Sequence, residues 1–379
     1  MQQTAFGRPD LPISLLGFGT MRLPVIGDNM AAIDEEKALA MIDLAYQNGV
    51  NYFDTAYMYH DHASEAFTGK ALARYPRESF YLATKMPPWN IQKREDLQRI
   101  FDGQLKKCGV EYFDYYLMHC VTRATLPTFE KFEVYTFLRE QQKAGKIGKV
   151  GLSLHDNVEV LEQALDLWAV DFAQIQVNYL DWEPLNSKGL YETLRARDIP
   201  IIVMEPVRGG NLATLTPESL QILTDAAHGR SAASWAMRFV GELPGVVTVL
   251  SGMSTLAQVE DNLATYTDFS PLSEEEHAVI RKAVEVYRQS AAIPCTACKY
   301  CLPCPAGVNI PLSVSLYNFF QRDNNAERFL IEYAHLGKGA RPSDCTLCGA
   351  CLPLCPQHLD IPGWMGKIKA LQSELVAKQ

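Results

Sequence analysis

Cysteine is nearly missing from most of this chain: of ten, only Cys108 and Cys120 precede position 295. The other eight lie between Cys295 and Cys355, which marks a boundary near 285–294, and a disulfide framework is not expected there in a chain without a secretion signal. The opening MQQTAFGRPD has no basic region followed by an apolar one, so it does not read as a secretory signal, and the expected location is the cytoplasm. Long hydrophobic runs are missing as well; nothing approaches the ~18 apolar residues a spanning helix needs, so no membrane partner is expected. Positive charge is in deficit, with 35 Lys and Arg against 44 Asp and Glu and a net charge of −9. That balance gives no electrostatic footprint for nucleic acid or an anionic membrane surface. A complete Gly-x-Gly-x-x-Gly turn is also lacking: Gly17 and Gly19 are followed at the third position by Arg22. Its absence argues against a doubly wound dinucleotide sheet. What remains is 379 residues with 47% hydrophobic and 21% charged side chains, enough for a large buried core.

Eight short β-rich runs recur at 14–19, 51–54, 80–85, 113–119, 150–154, 172–177, 200–204 and 246–251. Most are continuously apolar, as strands covered on both faces are. Helical periodicity fills the intervals, near 34–47, 93–107, 130–143, 157–168, 187–197, 231–240 and 255–264. Eight alternations predict an α/β fold, a closed (β/α)8 TIM barrel over residues 1–285. The cysteine-rich remainder, 286–379, is expected to form a small, mainly α-helical second domain, with helical patterns at 312–321 and 325–335.

Barrel chemistry sits at the C-terminal ends of strands. Asp54, Lys85 and His119 end the second, third and fourth runs, and Tyr59 follows Asp54 in the next loop. Taken singly, each has a plain structural use, as a cap, a packed ring or a surface charge. Their placement at one rim points to proton chemistry. A lysine ammonium beside Tyr59 is expected to lower the phenol's pKa and make it a general acid, with Asp54 keeping the lysine charged. His119 would donate to a carbonyl oxygen gaining negative charge.

The stretch from Asn51 to Tyr59, continuing through Ser64-Glu65 and Gly69 to Leu72, with Ala83-Thr84-Lys85 and the run from Asp114 to His119, resembles the ordered motifs of the aldo/keto reductase family. The likeness runs from about residue 6 to 265. It implies Tyr59 as proton donor, Lys85 and Asp54 as its tuning partners, and His119 as the carbonyl-orienting donor. It also implies an extended nicotinamide dinucleotide, NADP(H) or NAD(H), across the barrel mouth. Gly19, Thr20 and Met21 would lie under the nicotinamide, with Ser153 and Gln176 at the carboxamide. Met204, Glu205, Pro206 and Val207, with Gly209, Gly210 and Leu212, would wrap the pyrophosphate. Met253, Ser254, Gln258, Asp261 and Asn262 would hold the adenosine end. Three positions depart from the family pattern: Met204 stands where a stacking Tyr is usual, Leu154 where an Asn is common, and Gly252 and Gln258 where some members carry Lys and Arg. The substrate implied is a small aldehyde or ketone.

Two cysteine runs mark the second domain: Cys345-x2-Cys348-x2-Cys351-x3-Cys355-Pro356, and Cys295-x2-Cys298-x2-Cys301-x2-Cys304-Pro305. The first of these has the ferredoxin spacing for [4Fe–4S] clusters, in which the cysteine before the proline serves the other cluster, and the other is one residue shorter before its final cysteine. The expected sets are Cys295, Cys298, Cys301 and Cys355, and Cys345, Cys348, Cys351 and Cys304. Zinc also favours Cys-x2-Cys pairs, but fits two consecutive four-cysteine runs poorly. The segment resembles an α-helical two-cluster ferredoxin module. A nicotinamide moves two electrons as hydride, whereas a cubane moves one, and no flavin signature bridges them. Two readings follow. One is a carbonyl reductase whose clusters are structural or serve a redox partner protein. The other is an electron-transfer or redox-sensing component whose barrel mainly binds nucleotide. The oligomeric state is not legible in the sequence.

Overall fold

The computed structural model describes residues 1–27, 29–226, 229–289 and 293–378. The chain opens with an antiparallel hairpin, β1 (Gln3–Arg8) and β2 (Leu11–Ser14). Eight parallel strands follow: β3 (Leu16–Gly19), β4 (Tyr52–Asp54), β5 (Tyr81–Met86), β6 (Phe113–Val121), β7 (Ile147–Leu154), β8 (Phe172–Gln176), β9 (Ile201–Met204) and β10 (Val246–Ser251). They close in sequence order, β10 pairing with β3, so the predicted (β/α)8 barrel is the fold. Every residue of β5, β6, β9 and β10 is buried, which explains why these strands read as unbroken apolar runs.

The helices are α1 (Glu35–Gln47), α2 (Ser64–Leu72), α3 (Glu95–Cys108), α4 (Leu126–Lys131), α5 (Val134–Lys143), α6 (Val158–Leu167), α7 (Ser187–Ala196), α8 (Pro217–Ala226), α9 (Ala232–Gly241), α10 (Leu256–Thr267), α11 (Glu274–Arg288), α12 (Ile310–Asp323), α13 (Ala326–His335) and α14 (Ile361–Ala377). Local chemistry starts several of them. The side chains of Asp34, Asn157 and Thr255 accept hydrogen bonds from the first turns of α1, α6 and α10.

The structure differs from the sequence reading in several local respects, among them helices α8, α11 and α14, which the periodicity reading did not include. The run 14–19 is split: Ser14 ends the hairpin and β3 begins at Leu16. The hairpin itself was not foreseen, because Phe6, Leu11 and Ile13 are too scattered to read as a strand pair; they are held by packing on the barrel floor. The helical pattern 130–143 breaks between α4 and α5, where Glu133 takes a left-handed φ of 53°. Helix α2 was also unforeseen, since SEAFTGKAL carries a mid-helix glycine that costs about 1 kcal/mol. Tertiary packing overrides that preference: a Cβ at Gly69 would lie 2.3 Å from the backbone oxygen of Cys108 at the end of α3.

By its contacts the chain divides into two compact units, Met1–Val207 with Ala233–Glu274, and Arg208–Ala232 with Glu275–Gln379. In the first, the barrel interior is layered. Its floor holds Tyr52, Tyr81, Ala83, Tyr115, Leu117, Phe172, Ile202, Val247 and Leu250. Because strand side chains alternate, the next inward positions beyond Tyr52, Ala83 and Leu117 are Asp54, Lys85 and His119. In the second unit, α12, α13 and α14 bury Val314, Tyr317, Phe329, Tyr333, Met365 and Ile368 around a small core, against which six of the clustered cysteines pack. Among the described residues, no helix is long and apolar enough to cross a membrane.

Candidate active site and thiol sets

The sheet register carries three polar groups to the top of the barrel. Asp54 lies opposite Ala83, and Lys85 lies opposite Leu117, two residues below His119. The Lys85 ammonium donates to Asp54 Oδ1 at 2.6 Å and to the Thr55 carbonyl at 2.9 Å, and both charged side chains are essentially inaccessible. Tyr59 hangs over this pair from the loop after β4. That loop turns sharply, with His60, Asp61 and His62 at φ of 52°, 48° and 74°. Three successive left-handed non-glycine residues are strained, and such strain persists where surrounding contacts fix it. Here His60 Nδ1 lies 3.0 Å from the Met30 carbonyl, and His62 Nδ1 lies 2.9 Å from that of Tyr57. The lysine nitrogen stands 5.1 Å from the centre of the Tyr59 ring. The Tyr59 and His119 rings meet edge to face at 6.0 Å, and Trp89 covers His119 at 5.6 Å.

The electrostatics correct one expectation. Burial pushes the Tyr59 phenol well above its ordinary range, and the carboxylates of Asp54 and Glu205 and the Cys120 thiol push it further, opposed by Arg22. The net shift is upward, opposite to the expected acidification. The ammonium faces the ring and is matched by Asp54, so the buried pair offers the hydroxyl little net positive charge. Burial also raises the Asp54 carboxyl and lowers the Lys85 ammonium, each opposed by the other's charge. His119 is pushed well below its usual value by burial, then by Lys85 and His155. It is neutral at physiological pH and carries one N–H donor.

Two neighbours, His155 and Gln174, escaped the sequence reading, and a third, Glu65, entered it only as part of a motif, without a role. His155, just beyond β7, is pushed down to about 4 by burial and then by Lys85, and its Nε2 lies 3.1 Å from Ser153 Oγ. Gln174 precedes Gln176 by one inward step on β8; its Nε2 sits 3.6 Å from Met204 Sδ, while its buried Oε1 has no hydrogen-bond partner in the protein. Glu65, on α2 outside β5, accepts from Thr84 and Gln104, and Gln104 also donates to the Lys85 carbonyl. Period-two alternation through Gln176 would have found Gln174. Nothing local marks His155.

The residues expected to hold a dinucleotide are distributed as follows. Gly19 ends β3, Met21 follows in a short turn, and Thr20 is buried, donating to the Asp54 carbonyl at 3.0 Å. Ser153 is the penultimate residue of β7, and Gln176 donates to Asp181 at 2.7 Å. Met204 closes β9; Glu205 behind it pairs with Arg22 at 3.5 Å, and Pro206 and Val207 continue the loop. Gly209 and Leu212 fall in the turn 208–213, which groups with the second unit. Met253 is buried beneath Ser254, whose N–H donates to Gln258 Oε1 at 2.7 Å. Asp261 and Asn262 lie on α10, and Asn262 donates to Ser251 at 2.8 Å. Arg22 fills the space over Gly252, where a Cβ would meet its side chain at 3.3 Å.

In the second unit, the thiols form two groups by which charges they feel. Cys301, pushed up to about 12 chiefly by burial, is influenced by Cys298, Cys295 and Cys355. Cys351 is raised by burial and influenced by Cys304, Cys345 and Cys348. Cys304, Cys345, Cys348 and Cys351 also line one pocket walled by Val308, Ile310, Ile361 and Met365. Among the described residues, no three His, Cys, Asp or Glu side chains are arranged to hold a metal ion as they stand. Four thiols facing one dry-walled pocket nevertheless fit the donor chemistry of a cubane cluster.

Comparison with known proteins places these features. The family model described as Aldo/keto reductase family matches residues 15–285, and one described as 4Fe-4S dicluster domain matches 294–359. L-galactose dehydrogenase of Arabidopsis thaliana is 24% identical over 305 residues, covering 73% of this chain and 91% of that protein. Protein tas of Escherichia coli strain K12 is 25% identical over 353 residues, covering 77% of this chain and 100% of its own. Among solved structures, the holo form of aldo-keto reductase AKR11C1 from Bacillus halodurans aligns with a TM-score of 0.61 and 26% identity, covering 75% of this chain and 96% of its own.

Proposed function

The chain belongs to the aldo/keto reductase family, and from that premise we propose that it reduces a small aldehyde or ketone with a nicotinamide dinucleotide, Tyr59 supplying the proton. The observation carrying this reading is the convergence of Tyr59, His119 and the inaccessible Asp54–Lys85 pair at one end of the barrel. The unpartnered Gln174 oxygen and the Ser153 hydroxyl on the neighbouring strands suit the amide of a nicotinamide. When bound, a reduced nicotinamide supplies hydride to the carbonyl carbon. Tyr59, its pKa raised, keeps its proton until the carbonyl oxygen gains charge, then passes it from the phenol Oη to that oxygen. Lys85, its ammonium 5.1 Å over the centre of the ring, holds the phenol in place by a cation–π contact. Neutral His119 donates an N–H to the same oxygen, in a site whose burial strengthens the bond. Trp89 packs edge-on against His119 and fixes its plane.

The two cysteine sets hold two [4Fe–4S] clusters that carry single electrons for a protein redox partner, a role suited by the exposure of Cys348. The test is Tyr59→Phe in anaerobically purified protein, assayed on a panel of small aldehydes and ketones with NADPH and with NADH. Carbonyl reduction should fall about 10²- to 10⁴-fold while nucleotide affinity holds. Turnover close to wild type would remove Tyr59 as the acid. Bleaching of cluster absorbance by reduced nicotinamide without a carbonyl would instead favour an electron-transfer component over a reductase.

A further inference from the structure

We infer that Arg208 and Asn211, in the turn following β9, clamp one of the two clusters, and that the buried Arg208 cation sets its reduction potential. The inference rests on reading the cysteine sets as cluster ligands. Its basis is where the turn 208–213 sends its side chains. Arg208, Gly209 and Gly210 take successive positive φ angles of 51°, 65° and 96°. The glycines adopt these freely, but Arg208 does so at a steric cost, so its neighbours must hold it there. The result is an arginine turned inward, 2% exposed and among the largest fully buried side chains. Its Nη2 donates to Gln357 Oε1 at 3.4 Å, and Gln357 is itself 5% exposed, two residues beyond Cys355. Asn211 Nδ2 donates to the Cys295 carbonyl at 2.8 Å.

These two contacts land on the segments bearing Cys295 and Cys355, the most widely separated members of one set. That set is otherwise completed by Cys298 and Cys301 of the same Cys-x2-Cys-x2-Cys run as Cys295. Neither contact goes to a member of the other set. One short turn thus ties together the two stretches of chain that must meet before the set can close.

The charge follows from the same placement. Four thiolates leave a cubane net negative, and reduction adds one more negative charge. A guanidinium does not lose its proton in proteins, and in a poorly screened interior it favours the more negative state. Arg208 therefore raises the potential of the cluster held by Cys295, Cys298, Cys301 and Cys355, independently of pH, and leaves the other less affected.

The experiment is redox titration followed by electron paramagnetic resonance on the full chain, purified anaerobically, with iron and sulfide counted first. About eight of each per wild-type chain establishes the clusters; their absence overturns the cluster reading and this inference together. With clusters present, R208Q should shift one couple to more negative potential by about tenfold in its reduction equilibrium, ~59 mV for one electron. R208K, which keeps the charge, should stay near wild type, and N211A should release iron to a chelator faster from one cluster only. Loss of about half the iron in R208Q with R208K intact also supports the clamp. Full iron content with both couples unmoved in R208Q, or both moved equally, overturns the inference while leaving the cluster reading intact.

Discussion

Replacing Asp54 by Asn isolates the electrostatics of the barrel mouth. The two charges of the Asp54–Lys85 pair stand 2.6 Å apart and are almost wholly shielded from solvent. At an effective dielectric of about 20, their attraction comes to ~6 kcal/mol. The variant need not lose all of it, because Lys85 can discard its proton. An ordinary lysine titrates near ~10.4, so neutralising it at about pH 7 costs ~4.6 kcal/mol. The expected loss of stability is therefore about 3–5 kcal/mol, the range for breaking a buried pair. The sign of its pH dependence follows. With Asp54 gone, Lys85 is neutral when folded and protonated when unfolded, so the unfolded state binds more protons and stability rises with pH. Between about pH 7 and 9 the variant should regain ~2.7 kcal/mol relative to wild type. Urea denaturation followed by tryptophan fluorescence and circular dichroism at both pH values measures this. A loss below about 1 kcal/mol, or one flat with pH, would show that the pair does not hold a buried charge as argued.

Other outcomes follow from single positions. His155 is held at about 4 against an ordinary 6.5, so it takes up a proton more readily when unfolded, and stability should fall as pH drops from about 6.5 towards 4. The full effect is on the order of 3 kcal/mol; His155→Gln should flatten urea midpoints over that window, and an unchanged acid slope would remove His155 as its source. Gly69→Ala drives a methyl into the Cys108 backbone and should lose about 1–3 kcal/mol despite better helix propensity. Gly103→Ala, on the same helix as Cys108 but with open space around it, should gain up to ~1 kcal/mol. Equal melting shifts for the two alanine variants would contradict the close α2–α3 packing.

Much of this molecule was written locally. Strand and helix periods are properties of neighbouring residues, so eight alternations could be counted and the closed barrel expected before any coordinates. Position along a strand is local too, which is why Asp54, Lys85 and His119 could be assigned to one rim. Thiolate spacing is likewise a local pattern. What depended on distance through space was not written there. Lys85 was expected to acidify Tyr59. The tertiary structure instead surrounds the phenol with carboxylates and low-dielectric walls and faces the ammonium to its ring. Glu65 and His155 join the site only because helix and loop packing bring them there. Arg208 reads as an ordinary loop arginine until its turn is seen folded against Gln357 and Cys295. The chain order therefore determined which groups exist and on which element each rides. Burial and the field of neighbouring charges, which fall off with separation in space and not along the chain, decided what each group can do.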